Sequence, residues 1–195
     1  MRAPVWAPVR APVDRQPTLE GERLLVRPLA EADRAALYAV AADRELWALH
    51  PAHDRWQRPV FDALFDDALA NGGALAVIEK ATVRIIGSSQ YRPSAKLPGA
   101  MEIGWTFLAR DRWGGATNRE LKRLMLTHLL ASVDQAVFRV GAGNLRSRRA
   151  MEKIGGRLLD LSEDVAYPDG RLIAHVFYEI DWAGFAAGPL ARAGA

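Results

Sequence analysis

The sequence predicts an α+β domain: a mixed, mostly antiparallel sheet flanked by helices, with one parallel β-α-β crossover at its centre. Three observations carry this. Apolar residues gather in short runs bounded by Gly and Pro, as strands do. Two pairs of such runs face each other across short turns, 75–79 with 84–91 and 158–165 with 173–180, the second turn being Pro168-Asp169-Gly170. Between them, Leu121, Leu124, Met125, Leu129 and Val133 make one apolar helical face, bracketed by strand-like runs at 101–108 and 136–140.

The elements follow in order. Residues 1–17 repeat an Ala-Pro theme (Ala3-Pro4, Ala7-Pro8, Ala11-Pro12), and proline lacks the N–H that helix and sheet need, so a disordered extension is expected there. The folded domain is expected over 18–184, and a small-residue, flexible tail over 185–195. Arg23 to Leu29 reads as a strand stopped by Pro28. Glu31-Ala32-Asp33 opens a helix with Ala36, Leu37, Val40 and Ala41 at helical spacing. Residues 46–59 are rich in aromatics and histidine and have no clear period. Phe61, Leu64, Phe65, Ala68 and Leu69 return to helical spacing, and Asn71-Gly72-Gly73 ends that helix. Past the first hairpin and the Pro98-Gly99 break, the central strand, helix and strand follow, with Arg119, Lys122 and Arg123 expected on the helix surface. A short helix over 146–154 ends at Gly155-Gly156, and the second hairpin closes the chain.

Composition narrows the function. The chain has 195 residues, half of them hydrophobic (50%) and a quarter charged (25%), which suits one domain with a sizeable core. It has no cysteine, so thiolate metal sites, disulfides and cysteine nucleophiles are excluded. No stretch approaches the roughly 20 consecutive apolar residues of a membrane span, and the Pro-rich start lacks the apolar core of a secretory signal. A cytoplasmic protein without a membrane partner is expected. The net charge of +3 is too small to imply a nucleic-acid partner. Only Lys80, Lys96, Lys122 and Lys153 are lysines, so arginine dominates the basic residues and suits anionic ligands.

Two segments carry chemistry. In the first, the strand Glu102-Ile103-Gly104-Trp105-Thr106-Phe107-Leu108 feeds the turn Trp113-Gly114-Gly115-Ala116-Thr117-Asn118 and a helix. Such a turn presents unpaired N–H groups at a positive dipole end, where phosphates bind; a plain tight turn is the alternative. It is neither a Walker loop nor a dinucleotide fingerprint, since neither glycine spacing is present. In the second, Asn144 to Gly155 runs as N-x-x-S-x-x-A-x-x-K-x-G after a strand, with Asn144 suited to cap a helix.

Together with the opening Leu19-Glu20-Gly21-Glu22-Arg23-Leu24, these segments resemble the GNAT acetyltransferase superfamily, and within it the RimJ/RimL-like branch, from about Thr18 to Trp182. The resemblance implies a twisted GNAT-like sheet and acetyl-CoA as acyl donor without a metal. It implies a pyrophosphate on Trp113–Asn118 and a pantetheine beside Thr106, Phe107 and Leu108, like an added strand. Asn144 and Ser147 would approach the pantetheine and thiol. A primary amine is the expected acceptor, from a protein N-terminus or a small molecule, and a homodimer is a family-level expectation. Four positions depart from the pattern. Trp113 replaces the Gln or Arg that opens the turn, Ala116 replaces its middle glycine, Asn118 replaces its last Gly or Ala, and Met151 stands where many members carry a tyrosine thought to protonate the thiolate.

Acyl transfer to an amine needs that amine neutral and close to the thioester carbonyl. A carboxylate should take its proton, and Glu102, where the resemblance puts a catalytic glutamate in this branch, is the candidate base. The alternative for Glu102 is a solvated carboxylate at a strand end. A backbone N–H near Phe107 would hold the developing oxyanion, and Ser147 is the candidate contact to the thiolate. Trp47, in the aromatic 46–56 segment, is expected to wall the acceptor slot, and Trp105 and Tyr91 either shape that slot or pack in the core. His50 and His53 lack the further ligands a metal site needs, and His128 and His175 read as packing or surface residues. The expected function is N-acetyl transfer by direct attack in a ternary complex. A non-catalytic acyl-CoA-binding module is the alternative.

Overall fold

The computed structural model describes residues 12–191; the Ala-Pro repeats before Pro12 and the last residues of the expected tail lie outside them. A single sheet of eight strands runs in the order β1-β2-β3-β4-β5-β6-β8-β7. These strands are β1 (Leu19–Glu20), β2 (Leu24–Pro28), β3 (Ala74–Glu79), β4 (Arg84–Pro93), β5 (Met101–Leu108), β6 (Gln135–Gly141), β7 (Arg157–Ala166) and β8 (Leu172–Asp181). Every neighbouring pair is antiparallel except β5 and β6, the pair joined through the central helix. The helices are α1 (Arg34–Ala41), α2 (Arg58–Ala70), α3 (Thr117–Leu130), α4 (Leu145–Lys153) and α5 (Trp182–Ala187).

The strand alternation divides the core between the two sheet faces. On β3, Leu75 and Val77 point toward Leu121, Met125 and Leu129 of α3, in the larger cluster that also takes Met151 and Ile154 of α4 and its flank. Ala74, Ala76 and Ile78 point the other way, toward Leu37 and Ala41 of α1 and Phe61 and Phe65 of α2. α1 and α2 therefore cover one face, and α3 and α4 the other.

Packing extends past both expected domain limits. Val13 lies against the larger core, and the Arg15 guanidinium donates to the Asn71 carbonyl at 2.8 Å. At the other end, Phe185 of α5 and Leu190 are buried in the same core. The expected tail at 185–195 thus starts inside a packed segment. Its small residues hid two apolar anchors whose spacing no single helix face explains.

The opening Leu19–Leu24 segment owes its shape to Glu120 on α3. The carboxylate of Glu120 accepts the backbone N–H groups of Arg23 at 2.9 Å and Leu24 at 3.2 Å, binding the start of β2 to α3. Gly21 turns the chain back by donating to the Leu24 carbonyl at 2.8 Å. A Cβ at Gly21 would stand 2.2 Å from that carboxylate oxygen, so only glycine leaves the carboxylate in place.

Candidate functional site: a forked sheet and the cavity through it

β5 and β6 pair only at Met101↔Ala136 and Glu102↔Val137, although β5 continues to Leu108 and β6 to Gly141. Beyond Glu102 the two strands diverge. The bend originates on the other edge of β5, where Trp105 and Thr106 together face Ser89 alone in the pairing with β4. This is a bulge, and a bulge bends its strand. Trp105 absorbs it with φ of 51°, a conformation that is strained for an aromatic residue. The Arg92 guanidinium over its ring at 4.1 Å, and that of Arg139 at 5.9 Å, hold the indole there.

The fork opens a cavity of ≈ 190 Å³ that passes between the two sheet faces. Its walls on the α3/α4 side include Asn118, Lys122, Asn144, Ser147 and Met151, and on the α1/α2 side His50, Pro51 and Arg55. Glu102, Trp105, Thr106 and Arg139 line the strands between, and Tyr167 and His175 close the side toward β7 and β8. Pro51 sits tightly on the end of β6: a Cβ at Gly141 would meet its ring at 2.6 Å.

Glu102 occupies the crotch of the fork and is 5% exposed, so the strand-end carboxylate is buried rather than solvated. Burial pushes its carboxyl above the usual range; the Arg139 guanidinium, 3.8 Å away, opposes this, and Glu163 reinforces it. A second cavity of ≈ 250 Å³, lined by Arg92, Lys96 and Glu163 among others, reaches Glu102, Trp105 and Arg139 from the β7 side. The carboxylate therefore stands between two openings.

The turn before α3 has the expected electrostatics. The backbone N–H groups from Gly114 to Arg119 donate to no acceptor among the described residues, and the first pairing is Glu120 with the Ala116 carbonyl. Gly114 has φ of 72° and needs to be glycine, whereas Ala116, at φ −74°, fits the turn without strain. The Trp113 indole donates to the Leu108 carbonyl at 2.9 Å, and Arg146 of α4 lies over its ring at 4.0 Å. Trp113 thus ties the turn to β5 and α4. Thr117 and Asn118 open the helix, and Asn118 reaches the cavity.

Across the fork, the Asn144 side chain accepts the Ser147 N–H at 3.2 Å and caps α4, which points Ser147 and Met151 into the cavity. Lys122 corrects an expectation. It is buried at 2% exposure rather than on the helix surface, and its ammonium donates to the Thr106 hydroxyl at 2.8 Å. Burial alone pulls it down to about 7. Its place three residues before Met125 and seven before Leu129 was the available signal, since that spacing puts it on the edge of the apolar face.

Of the acceptor-side expectations, Tyr91 takes the core side of its two readings and Trp47 needs correction. Tyr91 is fully buried in the larger core, its hydroxyl donating to the Met125 carbonyl at 2.8 Å, because its face of β4 packs on α3. Trp47 is also sealed at 2% exposure. Its indole N–H donates to the Ala41 carbonyl and its ring rests 5.1 Å from that of Phe107, so both support the site from behind. Leu108 is likewise core. Trp105 does line the cavity, and His175, taken for packing or surface, lines it too, its ring stacked on that of Tyr167 at 6.2 Å. Burial and the Arg55 charge hold His50 neutral, at about 3. Among the described residues no group of three or more metal-ligating side chains gathers, and no helix is long and apolar enough to cross a membrane.

The family model of the acetyltransferase (GNAT) domain matches residues 23–157. This chain belongs to the GNAT acetyltransferases. The two diverging strands, the turn, Lys122 and Ser147 of this GNAT domain all lie within the matched segment; Tyr167 and His175 lie beyond it. Solved structures share the fold. A GCN5-related N-acetyltransferase from Brucella melitensis superposes with a TM-score of 0.75 at 20% identity, covering 93% of this chain and 85% of its own. The acetyltransferase from Agrobacterium tumefaciens gives 0.61 at 25% identity, over 92% and 99% of the two chains. RimJ from Mycobacterium smegmatis, in complex with CoA-disulfide, gives 0.65 at 16%, over 96% and 91%. The protein is an acyltransferase of the GNAT type.

Proposed function

We propose that this GNAT domain transfers acetyl from acetyl-CoA to a primary amine by direct attack, with Glu102 as the base. One observation carries the reading: a buried carboxylate at the crotch of the fork faces a cavity that joins the phosphate-ready turn's helix to a separate opening. The RimJ complex with CoA-disulfide supports the donor. The diphosphate would lie on the N–H groups of Gly114 to Arg119, and the pantetheine arm along the unpaired part of β5 at Thr106 and Phe107. The amine would reach the carbonyl from the His50–Arg55 side and give its proton to Glu102, directly or through water. A backbone N–H near Phe107 would receive the carbonyl oxygen as it gains charge. An amine panel, following thiol release, tests this reading; acetyl-CoA binding without turnover on any amine would favour a non-catalytic acyl-CoA-binding module.

The charge of the cavity narrows the acceptor. Among the described residues Glu102 is its only acid, against Arg55, Lys122 and Arg139. Arg55 makes no ion pair among the described residues; it rests over the Trp47 ring at 5.6 Å and meets His50 at 3.3 Å. Burial lowers its guanidinium only to about 10, so it stays cationic. An amine that also carries a carboxylate or phosphate suits this slot better than a polyamine. Arg55→Met is expected to raise the KM for such acceptors by roughly tenfold or more, a lost charge-assisted contact, with acetyl-CoA affinity unchanged by calorimetry.

The turn makes its own prediction. Gly114→Ala forces a left-handed conformation on alanine at a cost of about 1–2 kcal/mol. Isothermal titration should show acetyl-CoA binding weakened by roughly 5- to 30-fold, and unaltered affinity would move the phosphate site elsewhere.

A further inference from the structure

The proposed base leaves the other half of the proton traffic unassigned. The departing sulfur needs a proton, Met151 cannot give one, and a serine hydroxyl is a poor acid. Lys122 is a titratable group on the Ser147 and Met151 side of the cavity that the transfer reading leaves without a use. Its ammonium is buried, its hydrogen bond runs to the Thr106 hydroxyl, and its further neighbour is the Phe138 ring at 5.5 Å. No carboxylate pairs with it among the described residues, although a buried charge normally demands a partner. Thr106 is itself held by the Ser89 hydroxyl at 2.7 Å, which fixes the lysine's anchor on the unpaired half of β5. Ser147 and Met151 of α4 line the same cavity. The Lys122 ammonium thus sits on the α3/α4 side of the fork, and Glu102 in its crotch.

We propose that Lys122 is the acid on the thiol side, donating the proton that the CoA sulfur takes up as the acetyl group leaves it. This rests on the acetyl-transfer reading above. The step balances: the C–N bond forms and the C–S bond breaks with its electron pair on sulfur. The amine's proton goes to Glu102, the Lys122 ammonium gives one proton to the thiolate and becomes neutral, and exchange with water restores both groups. Burial lowers the Lys122 ammonium to about 7, which makes it a far better proton donor than an exposed lysine and matches it to a thiol whose own ionisation a nearby cation lowers. The charged and titratable groups sharing the cavity are Glu102 and Arg139 on the strands, His50 and Arg55 on the α1–α2 linker, and Tyr167 and His175 toward β7 and β8. None of them bonds Lys122.

The direct test needs no acceptor. CoA is bound to the full chain and its thiolate absorbance is titrated against pH. In the wild-type protein the bound thiol should ionise roughly 1–3 pH units below free CoA, as beside any close cation. Lys122→Met should abolish the shift, and Lys153→Met, at an exposed lysine of α4, should keep it. Lys122→Gln, which preserves a hydrogen bond to Thr106, should behave like Lys122→Met and guards against misfolding of the first variant. In turnover, both Lys122 variants should lose roughly 10²-fold in kcat, with acetyl-CoA affinity held and the alkaline limb of the pH profile removed. The same thiol ionisation in wild type and variants overturns the proposal, as does an acetyl group found on Lys122 itself by mass spectrometry. A shifted thiol without turnover on any amine would overturn the transfer reading and uphold the lysine–sulfur contact.

Discussion

Glu102→Gln lowers kcat by roughly 10²–10⁴-fold while the Kd for acetyl-CoA stays within a few-fold. Glutamine keeps the shape and hydrogen bonding of the side chain and removes only its basicity, so the loss falls on the chemical step. The pH profile gives the second readout. Burial raises the Glu102 carboxyl, so the residue is protonated and idle at low pH, and activity should rise as pH climbs through its elevated value. In the glutamine variant that acid limb disappears. Stability moves the opposite way. A carboxyl whose folded value is raised favours folding while protonated, and its contribution is lost as pH rises from 4.5 through the folded value. At neutral pH the wild-type chain carries an unfavourable buried charge, so Glu102→Gln should melt no lower than wild type. A purely structural glutamate would show the reverse, near-normal turnover in a less stable protein.

Glu120→Leu is expected to destabilise the fold strongly. It leaves the N–H groups of Arg23 and Leu24 without their acceptor at the start of β2. Two orphaned donors cost about 2–4 kcal/mol together, or roughly 5–15 °C in Tm for a chain of this size. Glu120→Gln retains an acceptor oxygen and should cost less than about 1 kcal/mol. Gly21→Ala drives a methyl into the same carboxylate and should destabilise comparably. Combined with Glu120→Ala the methyl no longer meets the carboxylate and faces only the flexible end of Leu124 at 3.0 Å, so the two losses should be far from additive. Thermal melts of the double-mutant cycle check this, and strict additivity would show that the two residues act separately.

This coupling shows where sequence reading stops. The Leu19–Leu24 motif was visible as a resemblance, but its reason is a carboxylate 97 positions away in sequence, brought there by α3 packing on β2. The strands and helices were legible because each is set by local periodicity and its Gly or Pro stops. The hairpins, the central crossover and α3 all appear within a few residues of their expected places. The turn before α3 was legible for the same reason, since its unpaired N–H groups follow from helix geometry alone.

Burial was not legible wherever a residue's face depends on which elements meet. Tyr91 and Trp47 carry the aromatic character of a slot wall, yet the packing of β4 on α3 and of the α1–α2 linker on β5 seals both. Lys122 shows the converse. Its charge argued for solvent, and only the divergence of β5 from β6 gives that charge a cavity to enter. By itself the sequence determined the elements, their order and the turn before α3, because local backbone physics is written in consecutive residues. The tertiary structure decided the fork, the burial of Glu102 and Lys122 and the cationic slot. Those depend on a bulge at Trp105 and on strands that stop pairing, and each requires partners distant in the chain to meet before its energy is defined.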